Sequence, residues 1–236
     1  MRKSRKIAAL RYAFPKTLPV MVGYLFLGMA YGILMKANGF GFLWVLAMST
    51  FVYAGSLQYV GVTLLAGGAH PVYGFLMGLM INARHLFYGI SMLGKYRRVN
   101  RFRAYLIFAL TDETFSVVCS ETVPPRLSRE WVYLWISLLN QVYWVAGSLA
   151  GVLLGSLITF DTKGLDFALT ALFVVIFTEQ WKSRRDHVPA LIGVVCSVGC
   201  VLIFGSGSFI IPAMVMILIV LSVPYIRGKK GRENVG

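Results

Sequence analysis

Eight apolar stretches, at about 17–35, 41–66, 71–93, 104–120, 131–158, 165–178, 188–204 and 209–226, follow one another with only short polar breaks in a chain of 236 residues. Crossing about 30 Å of hydrocarbon takes about 20 helical residues at a rise of about 1.5 Å each, and most of these stretches are long enough. Within lipid the backbone has to satisfy its own hydrogen bonds, and runs of this length do so as helices. The expected fold is an all-α integral membrane protein, a polytopic helical bundle. The composition agrees, with 58% hydrophobic and only 14% charged residues against about a quarter charged in soluble domains.

The net charge of +14 would suit nucleic acid, but the cations fall in short runs between apolar stretches: residues 2–16, KYRRVNRFR (95–103), KSRR (182–185) and RGKKGR (227–232). The positive-inside rule places such runs in the cytoplasm, with the bilayer as partner and no nucleic acid implied. Both termini are then cytoplasmic. Eight full crossings would strand 95–103 outside. Two segments invite another reading: 165–178 is short, and 41–66 is interrupted at YAGSLQ (53–58), where small and polar residues loosen a helix in lipid. About six full spans plus two broken or re-entrant helices put all four basic runs on one side; seven to eight full spans is the alternative. The first broken element dips from outside between crossings one and two, and the second from the cytoplasm between crossings four and five.

Two halves of opposite orientation result. The expected organisation is a single transmembrane transporter domain over 1–236, with a basic N-terminus (1–16), a first repeat (17–120), a second repeat (131–226) and a basic tail (227–236). Inverted repeats with discontinuous helices are a recurrent transporter plan, with substrate near the midplane. Gly28, Gly32 and Gly41 recur at a constant offset as Gly151, Gly155 and Gly164. With Gly23, Gly147, Gly74 and Gly78 these make small-residue faces, expected to serve close helix packing within the fold.

Polar residues in the middle of apolar segments mark the candidate site. INARHLFYGI (81–90) carries Asn82, Arg84 and His85 inside a hydrophobic run. An arginine at the centre of a span costs about 2.5–3.5 kcal/mol on insertion scales and needs a partner or a cavity. The next segment offers Asp112 or Glu113. One ion pair would need one acid and one base; the surplus of polar groups points to a site. On a straight helix Asn82 and His85 share a face that Arg84 does not, so either the two faces divide the work or the helix unwinds near Asn82. His85 is either a hydrogen-bonded structural histidine or, since its type titrates near pH 6.5, the candidate for proton coupling. A small charged substrate would need donors for its anionic group, acceptors for its cationic group and an apolar pocket for any apolar part. Arg84 suits the first and Asp112 or Glu113 the second, while Phe51, Tyr88 and Phe115 suit the third. Asn82 and Gln58 would orient either group, and Glu179 and Gln180 are either interfacial residues or counterparts of Gln58 across the pseudo-symmetry.

Other functions fit less well. Cys119, Cys196 and Cys200 have neither disulfide nor zinc spacing, no metal or cofactor motif occurs, and no nucleophile or HExxH pattern suggests an enzyme. A passive channel or membrane scaffold subunit remains the alternative to a transporter.

AGSLQY (54–59), NARHLFYGIS (82–91) and TDETF (111–115), in this order among these hydrophobic segments, resemble the AzlC/YgaZ-like branched-chain amino acid transport family. The resemblance covers essentially the whole chain. Ala83 stands where the family has a leucine between the asparagine and the arginine, a change that alters no polar group. The resemblance implies export of branched-chain and related apolar amino acids across the bacterial cytoplasmic (inner) membrane by a proton-coupled secondary transporter. It further implies a large subunit working with a small AzlD/YgaH-like membrane partner.

Overall fold

The computed structural model describes residues 2–97, 99, 101–157 and 187–205, with positions 174, 177, 178, 181, 209, 212, 213, 215–217 and 219–221. The chain divides into two compact units, residues 1–169 and 170–236. All regular elements among the described residues are helical. In the first unit they are α1 (Arg2–Ala37), α2 (Phe42–Ala47) continued by a π turn (Met48–Val52), α3 (Gly55–Ala66), α4 (Pro71–Ile81), α5 (Arg84–Tyr96), α6 (Arg103–Phe108), α7 (Asp112–Ser120) and α8 (Arg129–Leu157).

Two of these helices, α1 and α8, are long and apolar enough to cross a bilayer. They lie side by side. Trp135 Nε1 donates to the Lys6 carbonyl at 3.2 Å, the Thr17 and Tyr143 hydroxyls meet at 3.3 Å, and Tyr24 packs edge-on to Trp144. Farther along, Gly28 faces Ser148 and Gly155 faces Lys36. Residue numbers rise together along the seam, so the two helices run in the same direction.

Close approach at the seam requires glycine. A Cβ on Gly32 would collide with the Ser148 carbonyl oxygen and lie 2.6 Å from the Val152 nitrogen, and one on Gly151 would sit 2.7 Å from Met29 Cα. The small-residue faces of α1 and α8 therefore serve backbone contact within the chain. Gly23 and Gly74 face open space, and Gly78 makes only ordinary contact with Leu57.

Elements α2 and α3 form a hairpin. Ser49 bonds Gln58 at 3.4 Å and Met48 Cε lies against Gly61, which sets the two arms antiparallel. Gly55 at the tip touches Trp144, while Tyr59 reaches Tyr31 and the Leu27 carbonyl, farther from the N-terminus of α1. Both arms thus open toward the far end of the unit, away from the basic N-terminus. Helices α4 and α5 together run the full length, from Pro71 at the far end to Lys95 beside Glu121.

Elements α6 and α7 form a second hairpin of opposite sense. Phe102 packs on Trp131 and Glu121 on Tyr12 and Lys16, so both arms begin and end at the basic end, while Phe108 at the tip meets Tyr53. A core of Ala9, Ala13, Tyr96, Leu106, Val118 and Ile136 binds this end together.

The structure thus keeps one part of the expected plan and changes another. The interruption at 53–58 does turn the 41–66 segment back on itself, and the basic runs 2–16 and 95–103 share one end. The 104–120 segment, expected to cross, is a hairpin broken before Asp112. Helix α8 runs parallel to α1, where the six-crossing plan needs it antiparallel. Two acids at the middle of an apolar run start a new helix better than they continue an old one. The 165–178 element and the 209–226 crossing lie largely outside the described residues.

The outer surface of the first unit is apolar: Val22, Phe26, Phe75, Leu79, Leu86, Ile90, Leu93 and Leu157 are all exposed. Such a surface suits hydrocarbon rather than water. In the second unit α9 (Val188–Phe204) is an apolar helix with proline in its first turn, ended by Gly205 at φ 74°. His187 stacks on Trp181 at 4.2 Å just before it.

Candidate substrate site

Three helix breaks meet about halfway along α1 and α8. In the first, the π turn ends at Tyr53, held at φ 42° in the left-handed region. A non-glycine residue there stores about 1 kcal/mol or more of strain, and π turns gather at functional sites. Ala54 is then extended and α3 starts with no side-chain cap. In the second break, i to i+3 bonds replace the α pattern: Ala83 N to Met80 O, His85 N to Asn82 O and Leu86 N to Ala83 O. In the third, extended Thr111 caps α7 by accepting from Thr114 N at 3.2 Å, and Asp112 and Glu113 occupy the first turn, where the helix dipole favours negative charge.

Arg84 joins all three. Its Nη1 lies 2.9 Å from Asp112 Oδ2 and its Nη2 donates to Ser56 Oγ at 2.9 Å, tying the start of α5 to the starts of α3 and α7. Helices α3 and α7 run away from this junction toward opposite ends, so two electropositive helix starts face one another across it. Arg84 Nε, Asp112 Oδ1 and Asn82 Oδ1 are enclosed without hydrogen-bond partners. Each such group forfeits about 1–3 kcal/mol of solvation, a cost that a ligand can relieve.

Glu113 is held differently. Its Oε2 accepts from the Tyr24 hydroxyl at 2.6 Å, and the Tyr24 oxygen lies 2.7 Å from Thr111 Oγ1. Among the described residues no lysine or arginine pairs with it. Behind it Asn140, fully buried on α8, donates to Thr114 Oγ1 at 3.0 Å and leaves its Oδ1 unpartnered. Tyr88 stacks on Phe115 at 4.5 Å, giving the junction an apolar wall.

At the basic end a second polar cluster closes the structure. Lys95 Nζ donates to the carbonyls of Val118, Cys119 and Glu121 at 2.8, 2.7 and 2.9 Å, which satisfies the last turn of α7. The Glu121 carboxylate accepts from Tyr12 Oη at 2.6 Å and from Lys16 Nζ. Burial acts to raise this carboxyl, but the hydrogen bonds from Lys16 and Tyr12 and the charges of Lys16 and Lys95 outweigh it and hold it below the ordinary value.

The sequence-derived residues divide accordingly. Asn82, Arg84, Asp112, Glu113 and Tyr88 come together at the junction, and the helix does unwind at Asn82. His85 turns its Nδ1 to the Asn82 carbonyl at 3.2 Å and its ring edge-on to Tyr88, closing the break. Gln58 is fully buried but engaged elsewhere: its Oε1 accepts from Trp144 Nε1 at 2.9 Å, within the packing of the first hairpin on α8. Phe51 points outward, 77% exposed. Glu179 and Gln180 lie outside the described residues.

Reading the sequence missed Ser56, Tyr24, Thr111 and Asn140. Ser56 stands inside the AGSLQY stretch already singled out, and Asn140 is a lone amide within the apolar face of α8; both are detectable as polar residues in apolar runs. Tyr24 carries no such signal, because a tyrosine is ordinary in a membrane helix.

A family profile described as AzlC protein matches residues 19–158. The chain is 47% identical over 222 residues to a protein of Bacillus subtilis named branched-chain amino acid transport protein AzlC, covering 94% of this chain and 87% of the relative. A protein of Haemophilus influenzae named an uncharacterized membrane protein is 41% identical, over 91% and 88% of the two chains. The inner membrane protein YgaZ of Escherichia coli is 28% identical over 77% and 78%. No solved structure matches the chain.

Proposed function

The chain belongs to the AzlC protein family, and from that premise we propose that it is a secondary transporter exporting branched-chain and related apolar amino acids across the bacterial cytoplasmic membrane. It does so in exchange for protons, as the large subunit beside a small AzlD/YgaH-like membrane protein, with both termini in the cytoplasm. The observation that carries this reading is Arg84, held between the opposed starts of α3 and α7 with unpartnered polar atoms around it. Discontinuous helices whose positive ends converge at mid-depth are where transporters bind small charged substrates.

The junction has the parts a zwitterion needs. Arg84 and the uncapped start of α3 attract a carboxylate, Asp112 and Glu113 attract an ammonium, and the Tyr88–Phe115 stack offers an apolar wall to a branched side chain. Hairpins entering from opposite ends make the two sides of the junction separable, as alternating access requires.

The test is a panel of labelled amino acids in proteoliposomes, with and without the small partner. Efflux of leucine, isoleucine and valine, with acceleration of labelled leucine by unlabelled leucine on the opposite side, is expected of a carrier. Flux without such acceleration would assign a channel. Single-cysteine labelling in a Cys-free background should place positions 98 and 184 both in the cytoplasm.

A further inference from the structure

Asp112 and Glu113 are neighbours in sequence but sit in different electrical surroundings. Among the described residues, the charged groups at the junction are Arg84, Asp112 and Glu113. The first two cancel as an ion pair, leaving one negative charge, on Glu113, with which no lysine or arginine among the described residues pairs. Uncompensated charge at mid-depth is costly, so Glu113 calls for a cation of some kind.

Among the described residues, the elements around Glu113 other than α5 and its own hairpin present neutral groups on this side. Helix α1 presents the Tyr24 phenol, which donates to Oε2. The first hairpin presents Tyr53, 4% exposed, whose buried hydroxyl has no hydrogen-bond partner. Helix α8 presents Asn140 behind Thr114. The second hairpin itself adds Thr111 and Asp112, and α5 adds Arg84, Tyr88 and His85. Arg84 is committed to Asp112 and Ser56, and His85 to the Asn82 carbonyl. Neither is free to neutralise Glu113.

We propose that a proton and the ammonium group of the substrate compete for this one carboxylate. The inference rests on the transport reading above and assigns its coupling. When Glu113 is protonated, the junction carries no net charge. When the proton leaves to the cytoplasm, the carboxylate accepts N–H bonds from a substrate ammonium while Arg84 and the start of α3 face the substrate carboxylate. Release of the amino acid outside frees Glu113 to take a proton there. One proton moves inward for each zwitterion moved outward, so each cycle carries one positive charge inward. Proton and substrate cannot occupy Glu113 together, and that exclusion is the coupling.

The experiment measures binding of labelled leucine to the full chain with its partner subunit across pH 5.5 to 8.5, and charge movement in proteoliposomes. For the wild type the apparent affinity should fall up to tenfold per pH unit in the acidic limb, and 4-methyl-2-oxopentanoate, which lacks the ammonium, should compete at least tenfold more weakly than leucine. Glu113→Gln should bind leucine more weakly with a flat pH profile and move no charge, whereas Glu113→Asp should restore the slope. His85→Gln should keep the slope. Glu113→Gln that elutes as a folded protein yet retains the wild-type slope would overturn the inference alone. A slope abolished by His85→Gln and not by Glu113→Gln would reassign the proton to the histidine. Sodium dependence in place of pH dependence would also overturn it. A wild type that binds and exchanges no amino acid in the panel would overturn the transport reading and this inference with it.

Discussion

The seam between α1 and α8 and the junction of the three broken helices lie within one unit and are built on opposite terms. The seam consists of two uninterrupted helices in backbone contact, with glycine where a single methyl group would collide. The junction consists of short helices that stop, reverse or restart, and it encloses polar atoms without partners. Close packing tolerates almost no displacement, because a small separation forfeits much of the dispersion energy. Polar contacts through an arginine can be exchanged for others of similar energy, such as those to a substrate. The contrast assigns the seam to rigidity and the junction to movement.

The most severe way to break that division is to crowd the seam. Gly32→Ala and Gly151→Ala each place a Cβ against backbone atoms of the other helix, and each should cost about 3 kcal/mol, with loss of the monodisperse peak in size-exclusion chromatography. Tolerance of both would show that the seam is not the rigid part. The junction comes next. Arg84→Ala strands the Asp112 charge and should destabilise by about 2 kcal/mol, less than a fully buried pair because both side chains are partly exposed. Combining it with Asp112→Asn should recover a good part of that loss in a thermal unfolding assay while leaving transport abolished. Failure of the double variant to recover would detach the pair from folding.

A milder test concerns the basic end. Glu121→Gln removes a carboxylate that accepts from Tyr12 and Lys16, at a cost of about 1–2 kcal/mol. The pH dependence has a definite sign. Since the folded state holds Glu121 below its ordinary value of 4.5, its contribution is fully present above that pH and is lost as pH falls below it. The melting temperature of the wild type should therefore fall toward the Glu121→Gln value under acid, and the two curves should converge. The smallest effect is expected at Gly23, where a Cβ meets nothing within 4 Å. Gly23→Ala should be neutral or stabilise by about 0.5–1 kcal/mol, which would sharpen the contrast with Gly32 on the same helix.

What could be read beforehand, and what could not, follows the physics of each feature. The break at Tyr53–Gln58 was visible because small and polar residues interrupt an apolar run. The partnership of Arg84 with an acid of the next segment was visible because a mid-span charge needs a counter-charge, although the choice of Asp112 over Glu113 depends on tertiary geometry. The reversal before Asp112 had a local signature, Thr-Asp-Glu at a helix start, but a window judged by hydrophobic length passes over it. That miss propagated. Counting 104–120 as a crossing inverts everything after it, which is why α8 was expected antiparallel to α1. Gln58 looked like a substrate contact because nothing local reveals that Trp144, in a different helix, takes its carbonyl.

The parallel seam also sets a condition on synthesis. Gly28 on α1 meets Ser148 on α8, about 120 residues later in the chain, so at about 5–20 residues per second the ribosome needs roughly 6–24 s to supply the second face. During that interval the groove of α1 is lined with glycine and faces lipid, another helix or an insertion factor. Both hairpins and the α4–α5 pair must enter the bilayer before the two longest helices can meet. The first unit therefore assembles from its middle outward in time, with its most rigid contact made last, and chains ending before about residue 150 should be degraded rather than accumulate.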